Sequence, residues 1–280
     1  MPELPEVETI VHALRNGGRL SEDGSASPSI LGRKITAVEL LWQRTLVEPG
    51  RGLDLAMLPG QTIHEISRRG KFLIFHLDRN VLLIHLRMSG DLLVRMGEAP
   101  PAPHDRFALT LDNGPRLVFN DPRKFGRVWL ATNEDDLLAG LGPEPFSAEF
   151  TPEWLYSALQ ARRRQLKPLL LDQNFLAGLG NIYSDEALHR AWLHPLRLSD
   201  SISREEAARL WRAIRAVLEE GIQRNGSSID WVYRGGDFQN YFRVYQRAGE
   251  PCPVCGTLVE RMVIGQRSTH FCPKCQMIER

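Results

Sequence analysis

Apolar residues near the start of the chain recur with the period of an α-helix. They are Val7, Ile10, Val11 and Leu14. This spacing of i, i+3, i+4 and i+7 predicts a short helix that begins just after Pro5 and ends at Gly17-Gly18, since glycine commonly terminates helices. The polar, small-residue stretch that follows at 19–32 is typical of a surface loop.

From about residue 33 to residue 131 the pattern changes to short apolar runs. The runs are KITAVEL, KFLIFHLD, VLLIHLRM, RFALTLD, RLVFN and RVWLA. Turn signals such as Asp-Arg-Asn, Asp-Asn-Gly and Asp-Pro separate them. Many short strands with this punctuation predict a β-sandwich or a barrel-like β-domain.

Helical patterns return in the second half of the chain, after a linker that we place at 141–145. Thr151-Pro152-Glu153 is typical of a capped helix start. Ser203 and Glu206 form a capping box that opens a long helix. Its apolar face comprises Ala207, Leu210, Trp211, Ile214, Val217, Leu218 and Ile222. We therefore expect helical structure until about residue 225.

Composition narrows the class of protein. The chain has 280 residues, of which 42% are hydrophobic and 25% charged, as in ordinary soluble globular proteins. The absence of a long apolar stretch argues against a signal peptide or membrane span and favours the cytoplasm. The net charge is only +1, so charge alone does not indicate a nucleic-acid binder.

All four cysteines lie near the carboxyl end, in the pairs Cys252-x-x-Cys255 and Cys272-x-x-Cys275. Two such pairs bring four thiolates to the corners of a tetrahedron, which predicts one structural zinc ion with no open coordination position. Two disulfides or redox-active cysteines are the alternative. Arg267 lies between the pairs, where an arginine at a hairpin tip can bind phosphate or remain solvated.

The amino terminus reads Met1-Pro2-Glu3-Leu4-Pro5-Glu6. We expect the initiator methionine to be removed, because proline is small, and this would free a secondary amine at Pro2. An α-amino group titrates near pH ~8, so part of it is a nucleophile at neutral pH and can attack the C1′ carbon of a sugar. Glu3 and Glu6 would then serve as acid–base groups. Ordinary helix-start chemistry explains the same residues.

Several motifs, in this order from the first residue nearly to the last, resemble bacterial formamidopyrimidine-DNA glycosylases. They are MPELPEVET at the start, RRGKF at 68–72, HLRMSG at 85–90, NDPRKFG at 120–126, GLGNIYSDE at 178–186, HP at 194–195 and QRSTHFCPKCQ at 266–276. The resemblance implies a bifunctional enzyme of base excision repair. Such an enzyme removes oxidised purines from duplex DNA, then cleaves the strand by β,δ-elimination.

The resemblance also implies roles for individual residues. Pro2 matches the family's Schiff-base nucleophile, and Glu3 matches its general acid for base loss. Lys71 matches a lysine credited with proton transfer during β-elimination, and Arg267 matches a zinc-finger arginine that grips phosphate and assists δ-elimination. The DNA-binding positions implied in the same way are His85, Met88, His104, Arg123, Phe125, Arg162, Lys167 and Asn181.

Three of these residues have a physical interpretation of their own. A base must leave the stack before its glycosidic bond can be reached, at a cost of a few kcal/mol. Met88 and Phe125 would fill the vacated space, and Arg123 would pair with the orphaned cytosine. Without the resemblance, Met88 and Phe125 are more simply interpreted as core residues.

The implied fold is α+β, with a β-sandwich flanked by helices followed by a helical domain with a helix-two-turn-helix motif and a β-hairpin zinc finger. We place the catalytic domain at 1–135, a linker at 136–150, the helical domain with a lid loop at 151–245 and the zinc finger at 246–280. We expect a monomer that binds damaged or abasic duplex DNA in a cleft between the domains, in the bacterial cytoplasm on the nucleoid.

Two rivals remain at this point. An endonuclease VIII-like enzyme acting on oxidised pyrimidines shares the proline and glutamate, although the leucine of MPELPE and the set of Met88, Arg123 and Phe125 argue against it. A zinc-ribbon protein that recognises damaged DNA without cutting it is the rival from another class. The lid region 226–242 is not diagnostic, so lesion preference stays open.

Overall fold

The computed structural model describes residues 1–19, 26–47, 53–97, 100–228 and 235–278. The backbone divides into two compact units. The first comprises Met1–Ala139 and Ser227–Gly236, and the second comprises Gly140–Gly226 and Asp237–Arg280. The bounds 1–135, 136–150, 151–245 and 246–280 remain a prediction. Residues 20–25 of the loop expected at 19–32, and residues 229–234 of the lid region, lie outside the described residues.

The first unit opens with helix α1, Leu4–Asn16. Its strands are β1 Ile35–Leu40, β2 Glu65–Arg69, β3 Phe72–His76, β4 Val81–His85, β5 Asp91–Met96, β6 Asp105–Leu111, β7 Pro115–Asn120 and β8 Arg127–Ala131. A four-residue helix, α2 Asp135–Leu138, ends the unit's first segment. Among the described residues the strands form two antiparallel sheets, in the orders β1-β6-β7-β5 and β2-β3-β4-β8.

One apolar core joins the two sheets and α1. Val7 and Ile10 of α1, Phe75 and Ile84 of one sheet and Phe119 of the other belong to the same buried cluster. Burial of this apolar surface is the main source of the unit's stability. The arrangement is the predicted β-sandwich flanked by a helix.

Strands β2 and β5 were not predicted. In β2, EISRR, only Ile66 is buried. Ile66 is also the only apolar residue of the five, so the segment lacks the apolar run from which a strand is predicted. The expected strand VLLIHLRM is wrong at its end, because β4 stops at His85 and Arg87 takes a positive φ of 55°. Met88 therefore lies in a turn between β4 and β5 and not within a strand.

The second unit is helical and ends in a hairpin. Its helices are α3 Pro152–Gln160, α4 Leu166–Leu171, α5 Asn181–Arg190 and α6 Arg204–Gln223, and its strands are β9 Glu260–Ile264 and β10 Arg267–Phe271. The predicted caps are confirmed: the Thr151 hydroxyl accepts from the Trp154 amide at 3.0 Å, and Ser203 forms the capping box with Glu206. No helix in the described ranges is long and apolar enough to span a membrane.

Candidate active site and metal centre

Pro2 is buried at the start of the first unit, and two buried carboxylates follow it in α1 and its cap. Glu3 is the residue that caps α1, and its backbone N–H donates to Glu6 Oε2 at 2.8 Å. The other oxygen of Glu6 accepts from the Ser227 amide at 2.7 Å and from the Ser227 hydroxyl at 3.0 Å. Glu6 is thereby fixed as a structural acceptor. The Glu3 side chain also accepts a hydrogen bond, from the Glu6 backbone N–H in a capping box, so the choice of Glu3 as the acid–base group stays a prediction from the family resemblance.

Lys71 directly precedes β3, and His85 ends the neighbouring strand β4, in the sheet that packs against α1. Gly70, with a φ of 58°, makes the tight turn that brings Lys71 to the start of β3. Lys71 is 5% exposed. Arg68 of β2 forms an ion pair of 2.8 Å with Glu8 of α1, which holds this corner against the amino-terminal helix.

His85 is a neutral hydrogen-bond donor. Its Nδ1 accepts from the Arg87 amide at 3.0 Å, so the ring proton resides on Nε2. Burial, assisted by the positive charges of Arg87 and Lys71, lowers the pKa of His85 to about 3. The ring packs edge-on against Phe72 at 4.8 Å between centroids. Such an imidazole can donate to a phosphate oxygen without changing charge near neutral pH.

A buried carboxylate, Asp121, organises the loops that carry the candidate base-eversion residues. It accepts a hydrogen bond from the Ser89 hydroxyl, and its oxygens also accept from the amides of Arg123 at 3.2 Å and Gly126 at 2.7 Å. The Asp121 amide donates to the carbonyl of His104 at 2.8 Å. One side chain therefore fixes the 86–90 turn against the 121–126 turn.

The apolar side chains of these turns face solvent. Met88 is 37% exposed and Phe125 is 47% exposed, so neither is a core residue. The Arg123 guanidinium lies 5.2 Å from the centre of the Phe125 ring. The structure thus brings Met88, His104, Arg123 and Phe125 together around Asp121, on exposed turns suited to contact a large partner.

Two glycines allow this close approach. An added Cβ at Gly90 would lie 2.6 Å from an edge carbon of the Phe119 ring, and one at Gly126 would lie 2.2 Å from another. Real Cβ atoms do not come this close to carbon, so both turns require glycine. The Phe119 ring is the buried support for both.

In the second unit, Asn181 is the first residue of α5. Its side-chain Nδ2 donates to the Ser268 carbonyl at 2.9 Å. Arg267 is exposed and directly follows the hairpin turn, in which Gly265 and Gln266 both have positive φ, the geometry of tight two-residue hairpins. Arg162 is also exposed, but it folds back to donate to the Ala158 carbonyl at 3.0 Å.

Lys167 has no exposed surface. Its ammonium donates to the Asn181 carbonyl and the Ser184 hydroxyl, each at 2.8 Å, and to Asp185 at 2.6 Å. Asp185 in turn accepts from the His270 amide of β10 at 2.9 Å. This geometry gives Lys167 a role in holding α4 to α5 and in balancing the charge of the carboxylate that holds α5 to the hairpin. Direct DNA contact by Lys167 stays a prediction.

The four cysteines are free thiols whose Sγ atoms all lie within 4.8 Å of one another. The Cys255 and Cys272 sulfurs are 3.4 Å apart and those of Cys252 and Cys275 are 3.9 Å apart, too far for disulfides but close to the edge of a ZnS₄ tetrahedron. The donor set therefore fits one structural zinc ion, and the disulfide alternative fails.

Family models match the chain in three consecutive parts. The formamidopyrimidine-DNA glycosylase N-terminal domain matches residues 1–128, the formamidopyrimidine-DNA glycosylase H2TH domain matches 141–232, and the zinc finger found in FPG and IleRS matches 249–277. The chain belongs to the formamidopyrimidine-DNA glycosylase family.

Relatives of the family agree over the full length. The formamidopyrimidine-DNA glycosylase of Chloroflexus aurantiacus is 47% identical, over 99% of this chain and 98% of the relative. That of Pelotomaculum thermopropionicum is 42% identical over 100% of both chains. Lactococcus lactis Fpg, solved with FAPY-dG DNA, superposes with a TM-score of 0.87 at 35% identity, over 99% of this chain and 100% of that one. The same protein solved with abasic-site DNA gives the same values.

Some residues of this formamidopyrimidine-DNA glycosylase site have no local sequence pattern of their own. Asp121 is part of the NDPRKFG motif, but its role as the acceptor for two turns depends on contacts with Ser89 and Gly126. Ser227 reaches Glu6 across 221 positions of sequence, which no local pattern can reveal. His189, a buried histidine beside Cys252, was also missed.

Proposed function

We propose that this chain is a bifunctional DNA glycosylase and abasic-site lyase that removes oxidised purines from duplex DNA. Membership of the family supports the glycosylase assignment, and the solved Lactococcus lactis complexes contain FAPY-dG or abasic-site DNA. The observation that carries the proposal is the buried Pro2 next to the buried Glu3. We further propose that the enzyme acts as a monomer on the bacterial nucleoid.

The first step requires an everted nucleotide. Met88 and Phe125 are exposed apolar groups that can occupy the space left in the stack, and Arg123 beside Phe125 can donate to the unpaired cytosine. Asp121 holds the two turns in one geometry, so little order has to be created on binding. The contacts with the phosphate backbone of the DNA are assigned to His85, His104, Asn181, Arg162 and Arg267.

In the second step, the Pro2 nitrogen replaces the base at the C1′ carbon. After removal of Met1, the Pro2 nitrogen attacks C1′, the bond from C1′ to the base breaks, and the base leaves with its electron pair and a proton. Glu3 serves as the general acid in this loss. The Pro2 nitrogen then gives up its own proton, the C1′–O4′ bond of the sugar breaks with O4′ taking up a proton as a hydroxyl, and the nitrogen lone pair forms the C=N bond of the iminium.

The iminium makes the C2′ proton acidic. Removal of the C2′ proton expels the 3′ phosphate, which is the β-elimination. Loss of the C4′ proton then expels the 5′ phosphate, which is the δ-elimination, and a one-nucleotide gap with phosphate ends remains. The burial of Lys71, directly before the strand that pairs with the His85 strand, supports its assignment to proton transfer in the first elimination. Arg267 supplies a permanent charge for the departing phosphate.

Borohydride trapping tests the covalent step. Enzyme incubated with an 8-oxoguanine duplex and borohydride should become linked to DNA through Pro2. Pro2→Leu, which retains Met1, should lose the adduct, whereas Pro2→Ala, which presents a primary amine at the same position, should keep a weaker one. Mass spectrometry verifies each terminus. Full trapping with Met1 in place would refute the proposal, and failure of the intact enzyme to trap would leave only a binding protein.

A second comparison separates the two chemical roles. Glu3→Gln should lose activity on 8-oxoguanine duplexes but still trap on an abasic duplex, because no base remains to be protonated. Thymine glycol duplexes in the same assay address the endonuclease VIII-like rival. Preference for thymine glycol would exclude an oxidised-purine specificity.

A further inference from the structure

Three polar side chains of α5 form a stripe toward the zinc finger. Asn181, Asp185 and His189 are spaced by four residues, which places them along one face of the helix. Asn181 donates to the Ser268 carbonyl, Asp185 accepts from the His270 amide, and His189 lies against Cys252. Each contacts a different part of the same finger.

His189 is the residue of this stripe nearest the metal centre. Its side chain is fully buried, and its Nε2 lies 3.4 Å from the Cys252 Sγ, which is hydrogen-bonding distance for sulfur. Nδ1 of the same ring has no hydrogen-bond partner among the described residues. A sulfur bound to zinc is a thiolate, so it accepts hydrogen bonds and does not donate them.

These facts determine the tautomer. If Nε2 carries the proton, it donates to the thiolate and only a lone pair on Nδ1 stays without a partner. If Nδ1 carried the proton, a buried N–H would be orphaned and two acceptors would face each other. Orphaned buried N–H groups are rarer than orphaned acceptors because they are costly.

We propose that His189 is a positioning residue of the zinc centre, which donates a hydrogen bond from Nε2 to the Cys252 thiolate and fixes that ligand to α5. The bond draws charge from the sulfur and orients it, as outer partners of metal ligands generally do. Together with Asn181 and Asp185 it sets the register of the finger on α5. Four thiolates already complete the tetrahedron, so His189 is not itself a ligand.

Zinc release from the full-length holoenzyme tests the proposal. With a colorimetric chelator in excess, His189→Phe should release zinc roughly 10–100-fold faster than the parent, because loss of an outer hydrogen bond typically lowers metal affinity by this factor and a weaker site releases its metal faster. His189→Gln retains an amide N–H and should recover part of the difference. The matched control is His12→Gln, since His12 is exposed on α1 in the other unit and should release zinc at the parental rate.

A spectroscopic readout separates a hydrogen bond from simple packing. In the cobalt-substituted chain, His189→Phe should shift the thiolate-to-metal charge-transfer bands, whereas a residue that only fills space would leave them unchanged. Parental release kinetics together with unchanged bands for His189→Phe would overturn the proposal. If that variant does not fold, nitrogen NMR of the parental zinc enzyme decides, because protonation of His189 on Nδ1 contradicts the proposal directly.

Discussion

The Lys167 ammonium lies 2.6 Å from a carboxylate oxygen of Asp185, and neither side chain has any surface exposed to solvent. Taking two charges out of water is costly, and such a pair is tolerated only when each partner has further hydrogen bonds. Both have them here, to Ser184 on one side and to the His270 amide on the other. The pair therefore joins α4 to α5, and its Asp185 carboxylate also joins α5 to the hairpin that carries Arg267.

We expect Lys167→Met to destabilise the protein by about 3–5 kcal/mol, because it leaves the Asp185 carboxylate buried without a counter-charge. Denaturant unfolding measures the loss. Lys34→Met, at an exposed position, should change stability by no more than about 0.5 kcal/mol.

A double variant separates charge from DNA contact. Lys167→Met with Asp185→Asn should recover much of the stability, since the amide still accepts from His270 without needing a cation. If DNA affinity stays at the parental level in this variant, Lys167 acts through the fold. Full stability with lost affinity would instead favour the direct DNA contact implied by the family resemblance.

Sequence patterns predicted most elements whose signals are local. The caps at Thr151 and Ser203 are confirmed because capping is a contact between residues three positions apart. Strand β2 was missed because its pairing with β3, and not its own composition, makes it a strand. The burial of Lys167 was likewise hidden, since a motif does not show which face of a helix is covered.

The residues of the candidate site likewise divide into those that the sequence predicts and those that only the tertiary structure reveals. The four cysteines were recognisable from spacing alone, and Pro2 and Glu3 from position and resemblance. Asp121, Ser227 and His189 act through partners distant in sequence, at Ser89, Glu6 and Cys252. Their roles follow from the tertiary fold and had no pattern to predict them.

The Phe119 ring lies against two glycines, and Gly126 is the tighter position. An alanine there places its Cβ 2.2 Å from the ring, so the 121–126 turn or the ring must move. We expect Gly126→Ala to cost about 1–3 kcal/mol of stability and to weaken DNA binding through displacement of Arg123 and Phe125. Thermal unfolding and fluorescence anisotropy measure the two effects.

The matched control is Gly140→Ala. An added Cβ there meets nothing within 4 Å, and its φ is not positive, so neither property should fall. Adding Phe119→Leu to Gly126→Ala should relieve the overlap and restore part of the affinity. Parental affinity in Gly126→Ala itself would show that the turn geometry does not matter for binding.

His85 should make stability depend on pH on the acid side. Its pKa is about 3 in the folded chain and 6.5 in the unfolded one, because burial disfavours the charged ring. Below pH 6.5 the unfolded state therefore binds the extra proton, and stability falls as the pH falls toward 3. Between pH 7 and pH 5 the loss from this group is about 2 kcal/mol.

Denaturant unfolding of His85→Gln between pH 5 and pH 8, with zinc in excess, checks the assignment. The variant should lose the acid-side slope that His85 contributes, while both chains should show little slope from this site between pH 7 and pH 8. An unchanged slope between pH 5 and pH 7 would mean that the ring is accessible to protons in the folded state.

Loss of the zinc ion should affect DNA binding before it affects the β-sandwich. Cys272 is buried at the metal centre, next to the strand that begins at Arg267, while the first unit has a separate apolar core. We expect Cys272→Ser to abolish binding to abasic duplex at moderate salt. Hydrogen exchange in β3 and β4 should stay slow, because those strands do not depend on the metal.

Chelation of the parental chain provides the control. It should remove DNA binding in the same way, and added zinc should restore binding in the parent but not in Cys272→Ser. Loss of exchange protection in β3 and β4 together with binding would show that the metal supports the whole chain. Retained affinity without zinc would instead show that Arg267 reaches phosphate from an unbraced hairpin, and the structural role assigned to the metal would be wrong.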